Sequence, residues 1–362
     1  MCCRRNGDGK NFDKAAANLQ RTAQVQLSGE TPRTLVEAEG RRVLQQQRAG
    51  TLPVGWSAAD CGTEAGTTCV DFGCDGVMVP MVSDAEKRKR RQQARQKRQR
   101  RGRKARPLLP LRPGADQRYK EFKIVAYYDE TQAHRLVCGT RGDPRTAGRL
   151  IRRQAARIRL DLADEKVGNV DGAPWIRTQV QRRGLPLDAL GLDFYHLSEH
   201  AHATRRAIYG DEDATGKAWA EGVLHRFKHE GYDGAWSALV AWRTGLRKRR
   251  RKAADALLGY VAERRGMIRY PEFRAKGWQI GSGPTEATCK TMTARLKGSG
   301  MRWGRVERRG GHGAGGVDPK RPVGPVLAKP VASNGLSTPG SSARPIAAGH
   351  HGGRARWALR SA

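Results

Sequence analysis

The sequence predicts a mixed α/β fold on a strongly basic chain, and three observations predict it. Short apolar runs with strand character, such as Phe122-Lys123-Ile124-Val125-Ala126-Tyr127-Tyr128, alternate with segments of helical period. Two of the later short strands end in an acid. The chain has 362 residues, enough to bury a sizeable core, yet only 38% are hydrophobic. Lys and Arg number 69 against 35 Asp and Glu, a formal charge of +34. A surplus of that size opposes compaction and points to a polyanionic partner, nucleic acid first. With 6% aromatics, 44 Gly and 17 Pro, part of the chain is expected to lack a packed core. No stretch approaches the roughly 20 apolar residues of a membrane span, so no membrane association is expected. Met1-Cys2-Cys3-Arg4-Arg5 lacks the apolar region of a signal peptide. The seven cysteines (Cys2, Cys3, Cys61, Cys69, Cys74, Cys138, Cys289) are odd in number and scattered, which predicts reduced thiols in a cytoplasmic protein. Cys69 and Cys74 have a spacing that zinc sites sometimes use, but no second pair follows.

In chain order, residues 1–60 read as an N-terminal helical segment. Ser28-Gly29-Glu30-Thr31-Pro32 forms a turn into a helix, a pattern compatible with a helix-turn-helix or with a plain helical lead-in. Residues 67–82 read as a strand pair or one long bent strand. From Lys87 to Arg106 there are 13 Lys or Arg and no acid, so a disordered basic loop is expected across 84–116. After the strand at 122–128, His134 to Thr140 is its partner. Residues 144–163 are helical in spacing. Lys166 to Asp171 is a short strand ending in an acid. Pro174-Trp175-Ile176 opens a helix, and Leu187 to Asp193 is another strand ending in an acid. Residues 197–278 form a helical block, with Trp219, Leu224, Phe227, Trp236, Leu239, Trp242, Leu257, Leu258 and Tyr260 as candidate core. Gly281-Ser282-Gly283-Pro284 introduces a last helix, within 279–303. Residues 304–362 are rich in Gly, Pro, Arg and Ser without period, so a low-complexity, disordered tail is expected there. Such tails arise when GC-rich DNA is read out of frame.

Three strands, helix, strand, helix, strand, helical block and helix is the element order of a ribonuclease-H-like domain with a helical insertion before its last helix. Residues 65–196 would hold the core of that domain. In such a fold Asp75 in the first strand, Asp171 at the end of the fourth and Glu286 on the late helix would converge. Separately, each has a bland reading: two turn dipeptides and a first-turn helix acid. Together they form a hard oxygen ligand set suited to two Mg²⁺ or Mn²⁺ ions about 4 Å apart that clamp a phosphoryl transfer. His196, His200 and His202 read as a zinc cluster less well, because no Cys or acid stands at matching spacing. His196 fits a place beside the acids or against DNA, and a core histidine almost as well. His225 and His229 read as surface. The indoles at helical spacing read as core before they read as base-stacking platforms. No Walker-type loop occurs, so ATP is not expected.

The segments Cys74-Asp75-Gly76-Val77-Met78-Val79-Pro80-Met81, Tyr119 to Lys123, Asp171-Gly172-Ala173-Pro174-Trp175-Ile176, Leu192-Asp193-Phe194-Tyr195-His196, Ile280 to Glu286 and Arg295 to Trp303 stand in an order that resembles bacterial insertion-sequence transposases of the ISKra type, relatives of the Mutator-like DDE enzymes. The resemblance runs from about residue 20 to 303. It implies Asp75, Asp171 and Glu286 as catalytic, metal-holding acids. Asp193 and His196 match the Asp/Cys-x-x-His motif of Mutator-like enzymes. The expected function is metal-dependent cleavage and strand transfer of double-stranded DNA, by a homo-oligomer assembled on transposon ends in the bacterial nucleoid. Lys87, Arg88, Lys89, Arg90, Arg91, Arg95, Lys97, Arg98, Arg100 and Arg101 are expected to hold DNA backbone. So are Arg247, Lys248, Arg249, Arg250, Arg251 and Lys252, with Arg295 and Lys297. The tail after Trp303 and the short N-terminal part depart from the family. They support an alternative of another class, a catalytically inactive, basic nucleic-acid-binding remnant.

Overall fold

The computed structural model describes residues 12–100, 110–111 and 114–296. All of them lie in the compact unit Met1–Ala328. The tail expected at 304–362 falls outside the described residues, as do Arg101 and Lys297.

The described helices are α1 (Phe12–Ala23), α2 (Glu30–Ala49), α3 (Asp84–Arg100), α4 (Pro144–Arg157), α5 (Pro174–Arg182), α6 (Phe194–Tyr209), α7 (Ala214–Thr244), α8 (Lys248–Glu263), α9 (Tyr270–Ala275) and α10 (Gly283–Leu296). The strands are β1 (Cys69–Pro80), β2 (Tyr119–Tyr128), β3 (Arg135–Thr140), β4 (Glu165–Val170) and β5 (Ala189–Leu192). Residues 67–82 thus form one long strand and not a pair. The fold is mixed α/β. Its five strands form a single sheet in the order β3-β2-β1-β4-β5. β1, β2 and β3 are successively antiparallel, while β4 and β5 run parallel to β1.

Residues 84–116 were expected to be a disordered loop; residues 84–100 are instead the helix α3. Arg, Lys, Gln and Ala are strong helix formers and need no apolar stripe to adopt the conformation. Asp84 and Glu86 meet the N-terminal dipole, Lys97, Arg98 and Arg100 meet the C-terminal one, and Arg90 pairs with Glu86 at 2.6 Å. None of its residues is buried. Its root is closed: Met81 N donates to Arg118 O (2.9 Å), Ala115 N to Val82 O (2.9 Å) and Gly114 N to the Asp84 carboxylate.

The main core covers one face of the sheet. Val70, Phe72, Cys74, Val125 and Tyr127 pack under Leu150, Ile151 and Ala155 of α4 and Ile176 and Val180 of α5. The same core continues into the helical block through Leu197, Phe227, Leu239, Leu257 and Val261. Trp219 stacks on Trp242 with ring centroids 4.2 Å apart, and Trp242 Nε1 donates to Tyr209 Oη (3.0 Å), so these indoles are core. A smaller cluster, Val77, Val79, Phe122 and Ile124 with Cys289, lies on the other face beneath α10.

Candidate active site

The sheet register places the acids. Cys74 pairs with Val170 and Val170 with Leu192, so Asp75, Asp171 and Asp193 follow in one row across three neighbouring strands. Asp193 N donates to Val170 O at 2.8 Å, which fixes that row. α10 then crosses β1 at very short range. A Cβ on Gly73 would fall 1.8 Å from Thr285 Oγ1, so only glycine admits the helix there. Glu286 stands next on α10, in its first turn.

The charges of all three acids act on one thiol, that of Cys289. Burial pushes the Cys289 thiol well above its ordinary value. The Asp75 charge, a hydrogen bond to Asp75, and the charges of Glu286 and Asp171 push it further. Asp171 is also pushed up, by burial first and by the neighbouring Asp75 charge. The amide of Ala173, donating to its Oδ1 at 2.8 Å, the Arg264 guanidinium, and His196 when protonated hold that rise in check. Asp75 Oδ1 accepts from Gly76 N (2.5 Å), and Glu286 stands 3.6 Å from Lys290 Nζ.

Asp193 is not positioned to touch DNA. It is fully buried, and its carboxylate caps α6 by accepting from Tyr195 N (2.6 Å) and His196 N (3.2 Å). Its second oxygen accepts from Ser282 N (2.6 Å) and from the Ser282 hydroxyl. Asp193 therefore ties the start of α6 to the turn that launches α10 and so aims Glu286. His196 is partly exposed, 3.5 Å from Glu199, and acts on Asp171 when protonated. His202 faces elsewhere, accepting from Arg205 Nε at 3.2 Å.

Sequence reasoning missed Cys289 and the Arg264–Tyr260 pair. Arg264 Cζ lies 4.0 Å from the Tyr260 ring centroid, and His200 stacks on that ring at 3.6 Å. Gly172, with φ of 76°, lets the chain turn directly against this guanidinium; a Cβ there would be 2.6 Å from Arg264 Nε. That Nε is buried without a hydrogen-bond partner. The one signal in the sequence was the Asp171-Gly172 turn, which shows that something approaches closely but not what.

Asp75, Asp171 and Glu286 are hard oxygen donors, and Asp171 commits only Oδ1, so their chemistry suits Mg²⁺ or Mn²⁺. Their arrangement is less complete. Among the described residues no three His, Cys, Asp or Glu side chains are grouped so as to hold a metal ion. Cys69 and Cys74, five residues apart on β1, differ in environment, Cys74 lying in the main core.

Of the expected DNA-contacting residues, those from Lys87 to Arg100 lie on α3. Arg247 caps α8, and Lys248 to Lys252 fill its first turns. Arg295 lies near the end of α10. Among the described residues no helix is long and apolar enough to cross a membrane. The chain matches no protein-family model, and no curated protein matches its sequence.

Proposed function

We propose that the chain is an insertion-sequence transposase that cleaves and joins DNA strands on a ribonuclease-H-like core, with Asp75, Asp171 and Glu286 as its acidic triad. The observation that carries this reading is the strand register that sets Asp75 beside Asp171 across β1 and the end of β4, with α10, which bears Glu286, crossing β1 at Gly73. The strand order, with three antiparallel strands followed on the β1 side by two parallel ones, agrees with it. Asp75 and Asp171 would hold Mg²⁺ or Mn²⁺, with Glu286 completing the set. Such ions supply positive charge to the attacking and leaving oxygens of a phosphodiester.

The chain's own groups do the rest. Arg264 places positive charge beside Asp171, where a scissile phosphate would sit, and His196 adds to it when protonated. Asp193 holds the α10 turn in place. α3 offers nine Lys or Arg along an exposed helix for sequence-independent contact with duplex DNA. Lys248 to Lys252 crowd positive charge at a helix N-terminus, against its dipole, and Lys248 adopts a left-handed φ of 47°. Phosphate oxygens docked there would relieve that repulsion. A homo-oligomer on paired DNA ends, in the bacterial cytoplasm, belongs to the same reading.

A second reading, a DNA-binding remnant without activity, draws on the incompleteness of the site: no three metal-holding groups stand together among the described residues. One experiment separates the two. The full chain is incubated with Mg²⁺ or Mn²⁺ and a duplex bearing the ends of its own element. A transposase nicks that duplex at the ends, and Asp171→Asn abolishes nicking while duplex affinity stays within about twofold, because backbone contacts supply it. A remnant binds with equal affinity and nicks nothing, as wild type or variant.

A further inference from the structure

On the sheet face away from Asp75, α4 and α5 pack side by side. They approach most closely at Gly148, where an added Cβ would lie 2.3 Å from Gln179 Oε1. Over this crossing lies a depression of about 490 Å³ lined by Arg145, Arg149, Gln179, Arg182 and Arg183. Four guanidinium-bearing residues line it and no carboxylate does. Arg145 and Arg149 are four residues apart at the start of α4, where the helix dipole adds further positive charge. Arg182 ends α5 and Arg183 follows it.

These arginines are uncommitted. None of the four forms an ion pair among the described residues, whereas surface arginines elsewhere, such as Arg33, Arg226 and Arg265, do. Arg149 bonds only the Thr146 hydroxyl (3.0 Å). Arg183 Nε is buried without a partner. Buried donors without acceptors are costly, and four like charges around one hollow repel. Other arginines nearby have structural bonds: Arg152 donates to Gly184 O (3.2 Å), locking the end of α5 to α4. The hollow is therefore held open by fixed elements, and its charge is not needed to hold them.

We propose that this depression is a phosphate-binding site, taking either a run of polynucleotide backbone or a free polyphosphate. The guanidinium fork matches phosphate oxygens in pairs, and the hollow is too charged to suit an apolar ligand. It lies across the sheet from the acids, so it is separate from the place where a scissile phosphate would sit. The inference does not rest on the cleavage reading, because its test reads binding alone.

The probes are a plain duplex of about 20 base pairs and inorganic tripolyphosphate. The variant is Arg145→Gln/Arg149→Gln/Arg182→Gln, three exposed positions that leave Arg183 in place. The control, Lys217→Gln/Arg226→Gln/Arg265→Gln, removes the same charge from the helical block. If backbone is the ligand, the slope of log Kd against log salt falls by about 2–3 in the variant, near 0.9 for each phosphate no longer neutralised, and by less than about 1 in the control. If a free polyphosphate is the ligand, tripolyphosphate raises the Tm of wild type and control but not of the variant, and the duplex slope is unchanged. Should the triple variant fail to fold, Arg149→Gln alone is read the same way, with about one third of the slope change. A variant that behaves like the control in both arms overturns the proposal.

Discussion

Asp71 lies on β1 four residues before Asp75 and takes no part in the proposed chemistry. It is buried, and its carboxyl is pushed up to about 7, first by burial and then by the charges of Glu130 and Asp129. A folded-state value above the unfolded one means the native state prefers the proton. Its contribution to stability is whole below about pH 4 and is lost as the pH rises through about 7. Asp71→Asn is therefore expected to unfold in urea much like wild type at about pH 3.5, below the unfolded value. At pH 8.5 it should be the more stable, by an amount on the order of a few kcal/mol. An equal difference at both pH values would remove Asp71 as the cause. Cys289 gives a second test at this scale. With its thiol buried and pushed up by that burial and by acidic charge, it should resist iodoacetamide in the native protein at pH 8 and react once unfolded in guanidinium, as read by mass spectrometry. The sequence made Asp75, Asp171 and Glu286 readable as candidates because each stands on a strand, at a strand end or beside a turn. It could not reveal Cys289 or Arg264 as their neighbours, since those contacts join distant segments through tertiary packing. Asp193 was legible as an acid ending a strand, but neither its capping of α6 nor its grip on Ser282 was.

Between elements, the closest fit is that of β1 with α10. Gly73→Ala drives a methyl group into Thr285, so a loss of about 1–3 kcal/mol is expected, as for overpacking generally. Adding Thr285→Ala removes the nearest atom and should restore part of the melting temperature; no restoration would mean that the strand, not the contact, is at fault. Asp193→Ala strips the acceptors from Tyr195, His196 and Ser282 together. Hydrogen exchange should then speed up through the first turn of α10, well before the sheet is affected. β2, β3, β4 and β5 were legible because each is a strand-forming run bounded by turns, whereas β1 could be read as one strand or two. β2, for example, extends only three residues earlier than the run that announced it. α3 was not, because a search for apolar periodicity is blind to a helix with no buried side. Its residue propensities and its end charges carried the information.

For the whole molecule, the excess of positive charge predicts binding that weakens steeply with salt. Replacing the nine Lys and Arg of α3 by Gln should flatten the log Kd–log salt slope by up to about 0.9 for each phosphate left unneutralised, on any duplex sequence. An unchanged slope would show that α3 does not touch DNA. How α3 is mounted matters beyond affinity. It rises from the tip of the β1–β2 hairpin, whose strands pair continuously from Pro80–Tyr119 down to Asp71–Tyr128. A tug on the helix along the hairpin axis loads that ladder in shear, so many bonds share the force, whereas a sideways tug peels it from the tip, one pair at a time. Peeling would have to open every pair from Pro80–Tyr119 through Gly76–Lys123 before it disturbed Asp75 and Ile124. The hairpin is thus built as a mechanical fuse: a sideways load on α3, such as a bound duplex would exert, frays pairs at the tip before it reaches Asp75.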